Sequence, residues 1–350
     1  MIDTQLNNRQ LKILNYLLVH SLASRAQVEK ALEAEKGSRI TIIRDLNYLK
    51  NLSWIDHVGG GKHVKYSLKP GKELLIPTDL EEYFLVPTDN RDVKYQRFNF
   101  ELIDHLTGLF TPAQLRVFEE GKLKLKSKFK SLDKTILKRE LERFTIELSW
   151  KSSHIEGNTY SLLETEELIK NKKEATGHDK NEAIMILNHK SAFDTILEHR
   201  ASFKEINVSD IRLIHSEIIK DLEIKPGIRE SAVGITGTRY QPPDNKWQIE
   251  EVLTKLVAHA KKTNITPQQA LIFLAVISYL QPFTDGNKRT SRMVSNAILL
   301  ADGYCPLSYR SVDEVEYKKA LIIFYEQNNI FHLKRLFLEQ QQFAIDNYFR

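Results

Sequence analysis

The chain has 350 residues, enough for two or more domains with their own cores, and its 41% apolar and 28% charged residues are ordinary for a globular protein. No apolar run approaches the ~20 residues that span a bilayer, and the start MIDTQLNNRQ lacks the pattern of a signal peptide. Without such a run we expect no membrane partner. Cys305 is the one cysteine, which excludes an internal disulfide, so we expect a reducing, cytoplasmic location. A net charge of +5 is too small to indicate nucleic acid by itself.

Turn signals divide the chain into three parts. A glycine run at 59–61 and the Lys-Pro-Gly sequence at 69–71 close a first unit. We therefore predict a domain over 1–70, connecting and associated helices over 71–130, and a main domain over 131–350. Beyond about residue 93 the apolar spacing is helical, and only 232–241 reads as extended, which predicts one small β-hairpin. The expected fold class is mostly α.

The first unit reads as three helices followed by two short strands. Residues 8–20 are amphipathic, Ser24 and Gln27 form a capping box before a second helix, and a third helix opens near Ser38. The third helix has an apolar face, which we expect to be buried: Ile40, Ile43, Leu46, Leu49 and Leu52. Its other face carries Arg39, Thr41, Arg44 and Asn47, with Asp45 tempering the positive charge.

Helix-helix-helix-hairpin at this spacing resembles a winged helix-turn-helix, which implies a third helix in the major groove of DNA and a wing on the backbone. The candidate DNA contacts are Arg39, Thr41 and Arg44 on that helix and Lys62 at the glycine-rich tip. The alternative is a module that docks a protein or dimerises, with a solvated basic face.

The most informative stretch is Gln281 to Arg292, QPFTDGNKRTSR. A helix stopped by Pro282 gives way to a tight turn and then to a new helix near Asn287, so free backbone N–H groups form an anion site. Gly286 allows a phosphate to approach closely, and Asp285 is a hard oxygen ligand suited to Mg²⁺. Arg289 and Arg292 lie three residues apart and can face one anion. Phosphate, metal and arginine together indicate a nucleoside triphosphate.

This stretch resembles the Fic-family motif HPFx(D/E)GNGRxxR at nearly every position. Gly227-Ile-Arg-Glu followed by 233–243 resembles the flap hairpin of that family, which aligns a target segment by strand addition. Ser152 to Gly157, SSHIEG, matches the inhibitory pattern (S/T)xxxE(G/N) and lies upstream of the motif. The resemblance covers roughly residues 90–340 and implies an all-helical bundle with one hairpin.

The resemblance implies an activity and a role for each matched residue. The activity is transfer of AMP from ATP to a hydroxyl of a target protein. Asp285 would hold Mg²⁺ on the α- and β-phosphates, Gly286 and Asn287 would form the anion hole, Arg289 would contact the phosphates, and Arg292 would bind the γ-phosphate.

The inhibitory pattern implies a helix near 138–157 that restrains the enzyme. Glu156, in a motif with Ser152 and Gly157, would pair with Arg292 and exclude the γ-phosphate. At the flap, the residues expected beside the target are Ile235, Thr236 and Gly237.

Two residues depart from the pattern. Gln281 stands where the family has its catalytic histidine, and loss of a general base costs on the order of 10²–10⁴ in rate. Lys288 stands where the pattern has the glycine after its asparagine, and a lysine there resembles the Doc-type branch, which transfers the γ-phosphate; that branch usually has alanine where this chain has Gly286. Two alternatives to AMP transfer therefore stay open: a non-catalytic, nucleotide-sensing DNA-binding regulator, and a Doc-like phosphotransferase.

Residues 307–350 read as closing helices rich in aromatic side chains. Core packing is the favoured explanation, and a homodimer interface is the alternative.

Overall fold

The computed structural model describes residues 6–32, 38–131 and 133–348. Within these ranges the chain forms fifteen α-helices and one three-stranded sheet, which confirms the mostly α fold class. None of the described helices is both long and apolar enough to cross a membrane.

The first unit contains three helices and the sheet. The helices are α1 Asn8–His20, α2 Arg25–Ala31 and α3 Arg39–Asn51, and the strands are β1 Ala23–Ser24, β2 Ile55–Val58 and β3 Lys65–Leu68. Both neighbours pair antiparallel with the central β3, in the order β1-β3-β2. Capping boxes at Asn7 and Ser24 start α1 and α2, as side-chain oxygens at helix N-termini do.

Helix α3 is rotated relative to the predicted buried face. Ile42, Leu46 and Leu49 are buried with Asp45, whereas Ile40 is 63% and Leu52 45% exposed. Asp45 accepts hydrogen bonds from Arg9 and from Nε2 of Gln10 (2.9 Å) on α1. The expectation that Asp45 tempers the exposed basic face is therefore wrong, because its carboxylate is buried and compensated inside the unit.

The first unit shares a continuous apolar core with the rest of the chain. The connecting segment carries two short helices, α4 Leu80–Leu85 and α5 Leu102–His105. Before them, the carbonyl of Leu74 accepts from the amide of Ile330 (2.8 Å), and the carbonyl of Ile76 from Nδ2 of Asn329 (2.6 Å).

The main bundle is built around two almost wholly buried helices, α12 Thr266–Leu280 and α13 Asn287–Ala301. Helix α12 is apolar all round, as a central helix must be. The surrounding helices are α6 Pro112–Ser131, α7 Lys134–His154, α8 Leu162–Asn171, α9 Lys180–Glu198, α10 Val208–Ile219, α11 Lys246–Lys262, α14 Glu314–Gln327 and α15 Phe331–Asn347. The aromatic side chains Phe324, Phe331, Phe337 and Tyr348 are buried within the chain itself, as the packing explanation requires.

The flap segment 232–241 reverses direction at Thr236–Gly237, where Gly237 has φ +85°. Its two arms do not pair as a β-ladder within the described residues. The bridge that the described segment does make is parallel, between Arg97 and Gln241, with the Gln241 amide 2.9 Å from the carbonyl of Gln96. Arginine side chains supply further ties, since Arg91 donates to the Gly237 carbonyl.

Candidate active site

A tight turn joins the two central helices. Helix α12 ends at Leu280, and Gln281 follows in the left-handed region with φ +49°. Gly286, with φ +78°, precedes the first residue of α13, and no side chain caps that helix. The amide N–H groups of its first turn are therefore left for an anion.

Side chains hold this turn in place. Asn287 accepts from the amide of Phe283 and donates to its carbonyl, both at 2.8 Å. The His215 ring stacks on Phe283 at 3.6 Å, and its Nε2 lies 3.0 Å from the carbonyl oxygen of Asp285. Burial lowers the pKa of His215 to about 4, so the neutral ring donates this hydrogen bond. The Asn287 side chain thus fastens the turn, and its contribution to an anion hole rests on its backbone N–H.

A cavity of about 480 Å³ opens over the turn. Predicted site residues that line it are Glu156, Gly157, Ile235, Thr236, Gln281, Asp285, Gly286, Asn287 and Arg289. Arg289 is 3% exposed and its Nη2 lies 3.2 Å from the 66% exposed carboxylate of Asp285. Lys288 and Lys318 add two cations to the wall, and the sequence had no signal for Lys318. The surplus of positive charge suits a polyphosphate.

Arg292 lies fully buried and contacts the cavity-lining Glu156. Its Nη2 donates to Oε1 of Glu156 (3.0 Å) and to the carbonyl of Ser152 (2.8 Å), and its Nε donates to Oγ of Ser152 (2.9 Å). The second oxygen of Glu156 lies 3.4 Å from Nζ of Lys288. Burial alone would raise the pKa of Glu156, but the charges of Arg292 and Lys288 outweigh it and hold the pKa below its usual value. Glu156 is therefore an anion, and it pairs with Arg292 and Lys288.

A histidine that the sequence did not single out supports this contact. His189, on α9, lies with Nδ1 2.9 Å from the Met185 carbonyl and Nε2 2.9 Å from Oγ of Ser152. Burial, reinforced by the charge of Arg289, lowers the pKa of His189 to about 3. The neutral ring donates from Nδ1 to the Met185 carbonyl, and its Nε2 accepts the hydrogen of the Ser152 hydroxyl. The oxygen of that hydroxyl is then available to accept from Nε of Arg292. No local motif predicts this contact, because 37 residues separate the two partners.

The side-chain amide of Gln281 is engaged in a hydrogen bond to the main chain. Its Nε2 donates to the carbonyl of Ser278 (2.7 Å), one turn back in α12. Among the cavity-lining residues in the described ranges there is no histidine. An amide is not basic at neutral pH, so Gln281 cannot act as a general base.

The donor set fits Mg²⁺ bound together with a nucleotide. In the parts of the chain that the structure describes, no cluster of three or more His, Cys, Asp or Glu residues is arranged to hold a metal. Mg²⁺ at phosphate sites usually takes one or two carboxylates and completes its shell with phosphate oxygens and water. The exposed Asp285 carboxylate beside the anion turn meets that need.

Gly237, Arg39, Thr41 and Arg44 are not among the residues that line this cavity. Gly237 is at the flap turn, held by Arg91. Arg39 and Arg44 are exposed on α3. Thr41 is half-buried, and its hydroxyl lies 2.9 Å from that of Ser38. The side chain of Lys62 lies outside the described part of the structure.

Comparison with known proteins finds a family match for part of the chain. Residues 205–299 match the Fic/DOC family. A protein adenylyltransferase Fic from Nematostella vectensis is 25% identical over 193 residues, 53% of this chain and 44% of that protein. The enzyme of the same name from Aedes aegypti is 29% identical over 185 residues, 49% of this chain and 35% of that protein. The chain thus spans less than half the length of these two relatives.

Solved structures show the same fold. Fic-1 from C. elegans superimposes with a TM-score of 0.55 at 19% identity, covering 67% of this chain and 69% of that one. A Fic domain-containing signalling protein from Bacteroides thetaiotaomicron gives 0.54 at 22% identity, covering 66% and 96%. Residues 205–299 thus form a Fic/DOC domain, and the solved structures share its fold.

Proposed function

We propose that this chain transfers AMP from ATP to a hydroxyl side chain of a target protein, and that Glu156 restrains the transfer. The observation that carries the proposal is the uncapped N-terminus of α13, with Asp285, Arg289 and Gln281 facing one cavity. Curated relatives at 25–29% identity are named protein adenylyltransferases, which favours AMP over other groups.

The proposed reaction needs an in-line attack on the α-phosphate. The target oxygen forms a bond to phosphorus, the bond to the pyrophosphate oxygen breaks, and the hydroxyl proton is lost to solvent. In this proposal the backbone N–H groups of Asn287 and Gly286 stabilise the developing negative charge, and Arg289 neutralises the phosphates. The Gly286 N–H donates to Oδ1 of Asp285 (2.6 Å) in the structure, so it must exchange that partner for the phosphate. Mg²⁺, held by Asp285, would supply further charge neutralisation when bound. Gln281 orients by hydrogen bonding but takes no proton, so the transfer is slow.

The proposed restraint is electrostatic. Glu156 occupies Arg292, which would otherwise receive the γ-phosphate, and it also contacts Lys288. A triphosphate whose γ-phosphate approached Arg292 would meet the carboxylate of Glu156 before it met Arg292 and Lys288. Two negative charges in contact repel strongly in a buried site.

The test uses the full chain carrying Gln281→His and Glu156→Gly, incubated with Mg²⁺ and ATP labelled at the α- or the γ-phosphate. Label from the α-phosphate on the chain itself or on added proteins supports AMP transfer. Label from the γ-phosphate alone supports the Doc-like phosphotransferase, for which Lys288 is the motif evidence. Gln281→His alone and Glu156→Gly alone are the matched controls that assign the defect and the restraint separately.

A second candidate is a DNA-binding regulator that senses nucleotide without catalysis. It is favoured by the Gln281 amide, which donates to the Ser278 carbonyl, and by exposed Arg39 and Arg44 on α3. This candidate predicts salt-dependent binding to a defined duplex that changes on adding ATP. If neither α- nor γ-labelled ATP labels any protein and the chain binds such a duplex, the regulator replaces the transferase as the proposed function.

A further inference from the structure

Arg229 lies between the flap and the end of α12, with 3% of its surface exposed. Its Nε donates to the carbonyl of Gln281 (2.6 Å), and its Nη1 donates to the carbonyl of Ser231 (2.6 Å). Its Nη2 donates to the carbonyl of Pro243 and, more weakly, to that of Leu280 (3.4 Å).

All four acceptors are main-chain carbonyls. Leu280 is the last residue of α12 and Gln281 follows it, at a helix end where carbonyl groups lack helical partners and the helix dipole favours a cation. A planar guanidinium with five N–H donors can serve several carbonyls at once, whereas an ammonium cannot reproduce that fork.

These acceptors belong to two parts of the site that must be kept in register. Ser231 and Pro243 are the two roots of the flap, on either side of the 232–241 segment. Gln281 occupies the position of the family's catalytic base, and its left-handed backbone sets where its side chain projects. The main chain supplies one link between the flap and the end of α12, since the Arg229 amide donates to the carbonyl of Pro282 (3.1 Å). Because the flap arms do not pair with each other in the described structure, the buried Arg229 side chain adds the further links to residue 281.

We propose that Arg229 is a positioning residue that fixes the flap against residue 281. The inference rests on the proposed transfer function, since register between flap and base position matters only if a target hydroxyl is brought there. The phosphate-binding turn is anchored separately, by Asn287 and His215. Loss of Arg229 therefore affects turnover and leaves nucleotide affinity largely unchanged.

The experiment uses the full chain with Gln281→His and Glu156→Gly as parent, and adds Arg229→Lys or Arg229→Gln. Arg212→Lys, at an exposed arginine paired with Glu250 (2.9 Å), is the matched control. Self-labelling with α-labelled ATP and Mg²⁺ gives the saturated rate and the half-saturating ATP concentration. We expect Arg229→Lys to lower the rate about 10–100-fold, because small misplacement is costly, with half-saturation changed less than about 3-fold.

A second readout does not depend on activity. Hydrogen exchange of a peptide covering 229–243 should be faster in both Arg229 variants than in the parent and in Arg212→Lys, while a peptide covering 285–295 is unchanged. Unchanged exchange at 229–243, or a rate loss matched by an equal loss of ATP affinity, overturns the proposal. If the parent itself transfers no AMP, the proposed function fails, and the exchange data still decide whether Arg229 fixes the flap.

Discussion

The carboxylate of Glu156 lies 3.0 Å from the guanidinium of Arg292, although 136 residues separate them along the chain. Arg292 has no exposed surface and Glu156 retains 18%. Such a pair is costly to break on one side only, because the remaining charge stays buried. Its removal therefore has measurable effects on both stability and nucleotide binding.

Glu156→Gly should bind ATP more tightly and unfold more easily. Freed from the carboxylate, Arg292 can meet a phosphate, and we expect affinity to rise about 10-fold, a change of ~1.4 kcal/mol. The unfolding free energy should fall by about 1–3 kcal/mol, the usual worth of a charge-assisted hydrogen bond. Titration with a fluorescent ATP analogue and urea unfolding measure the two effects. Glu142→Gln, at an exposed glutamate of α7, should change neither, and unchanged affinity in Glu156→Gly would refute the restraint.

Lys288→Gln should affect stability much less than Glu156→Gln does. The Lys288 ammonium is 28% exposed and 3.4 Å from Glu156, and partly solvated pairs of this kind contribute less than about 1 kcal/mol. A double-mutant cycle on the unfolding free energy measures the coupling directly. In the Glu156→Gly background the same change should weaken ATP binding, because Lys288 then lines the cavity unpaired. A coupling energy as large as that of Arg292 would contradict this ranking.

Gly286→Ala should damage the anion turn. The residue has φ +78°, and an added Cβ would lie 3.2 Å from Cγ2 of Ile219. The left-handed conformation alone costs a side-chain-bearing residue about 1–2 kcal/mol, and relief by moving the turn would displace the N–H groups that we propose bind phosphate. We expect lower thermal stability and at least a several-fold loss of ATP affinity. Gly60→Ala, where nothing lies within 4 Å, is the control that should change neither property.

Stability should fall as the pH drops below the ordinary pKa of histidine. His189 has a folded-state pKa of about 3 against 6.5 for the free side chain, so below pH 6.5 the unfolded state binds a proton that the folded state refuses. The resulting loss accumulates from pH 6.5 toward 3, at up to about 1.4 kcal/mol per pH unit.

Comparison with His189→Gln isolates this contribution from that of Glu156, whose lowered pKa adds its own loss at acid pH. Urea unfolding between pH 7 and 4 should show a shallower pH dependence for His189→Gln. Exposed His199→Gln should follow the parent curve. Parallel curves for the parent and His189→Gln would show that His189 is not held neutral.

If the first unit binds DNA, Arg39→Gln and Arg44→Gln should each weaken it. The slope of log affinity against log salt should shrink by about 0.9 for each phosphate that the variant no longer neutralises. Fluorescence anisotropy with a labelled duplex across a salt series measures both quantities. Arg212→Gln, on the surface of the Fic domain, is the charge-matched control. Equal effects of all three substitutions would indicate non-specific attraction and favour the docking interpretation of this unit.

Much of the site was predictable because it is local. Residues 281–292 are contiguous, so the proline stop, the glycine turn and the new helix follow from rules that act over a few residues. The helical pattern after residue 93 was predictable for the same reason. The pairing of Glu156 with Arg292 was expected from the resemblance to the Fic-family inhibitory pattern. No rule about residue spacing predicts it.

The buried face of α3 shows where periodicity fails. Apolar spacing selected Ile40 and Leu52, but the helix buries Asp45 against Arg9 and Gln10. A pattern of apolar residues does not reveal that a carboxylate will find its partners on another helix.

The sequence by itself determined the class of fold, the tight turn before α13 and the presence of Gln281 where the Fic motif has histidine, since each depends on residue identity and near neighbours. Tertiary structure alone decided that His189 supports Ser152, that Lys288 shares Glu156, and that Arg229 joins the flap to residue 281. These contacts link segments between 37 and 132 residues apart. Hydrogen bonds and ion pairs act over a few ångströms in space, and only packing of the whole chain brings such partners within that range.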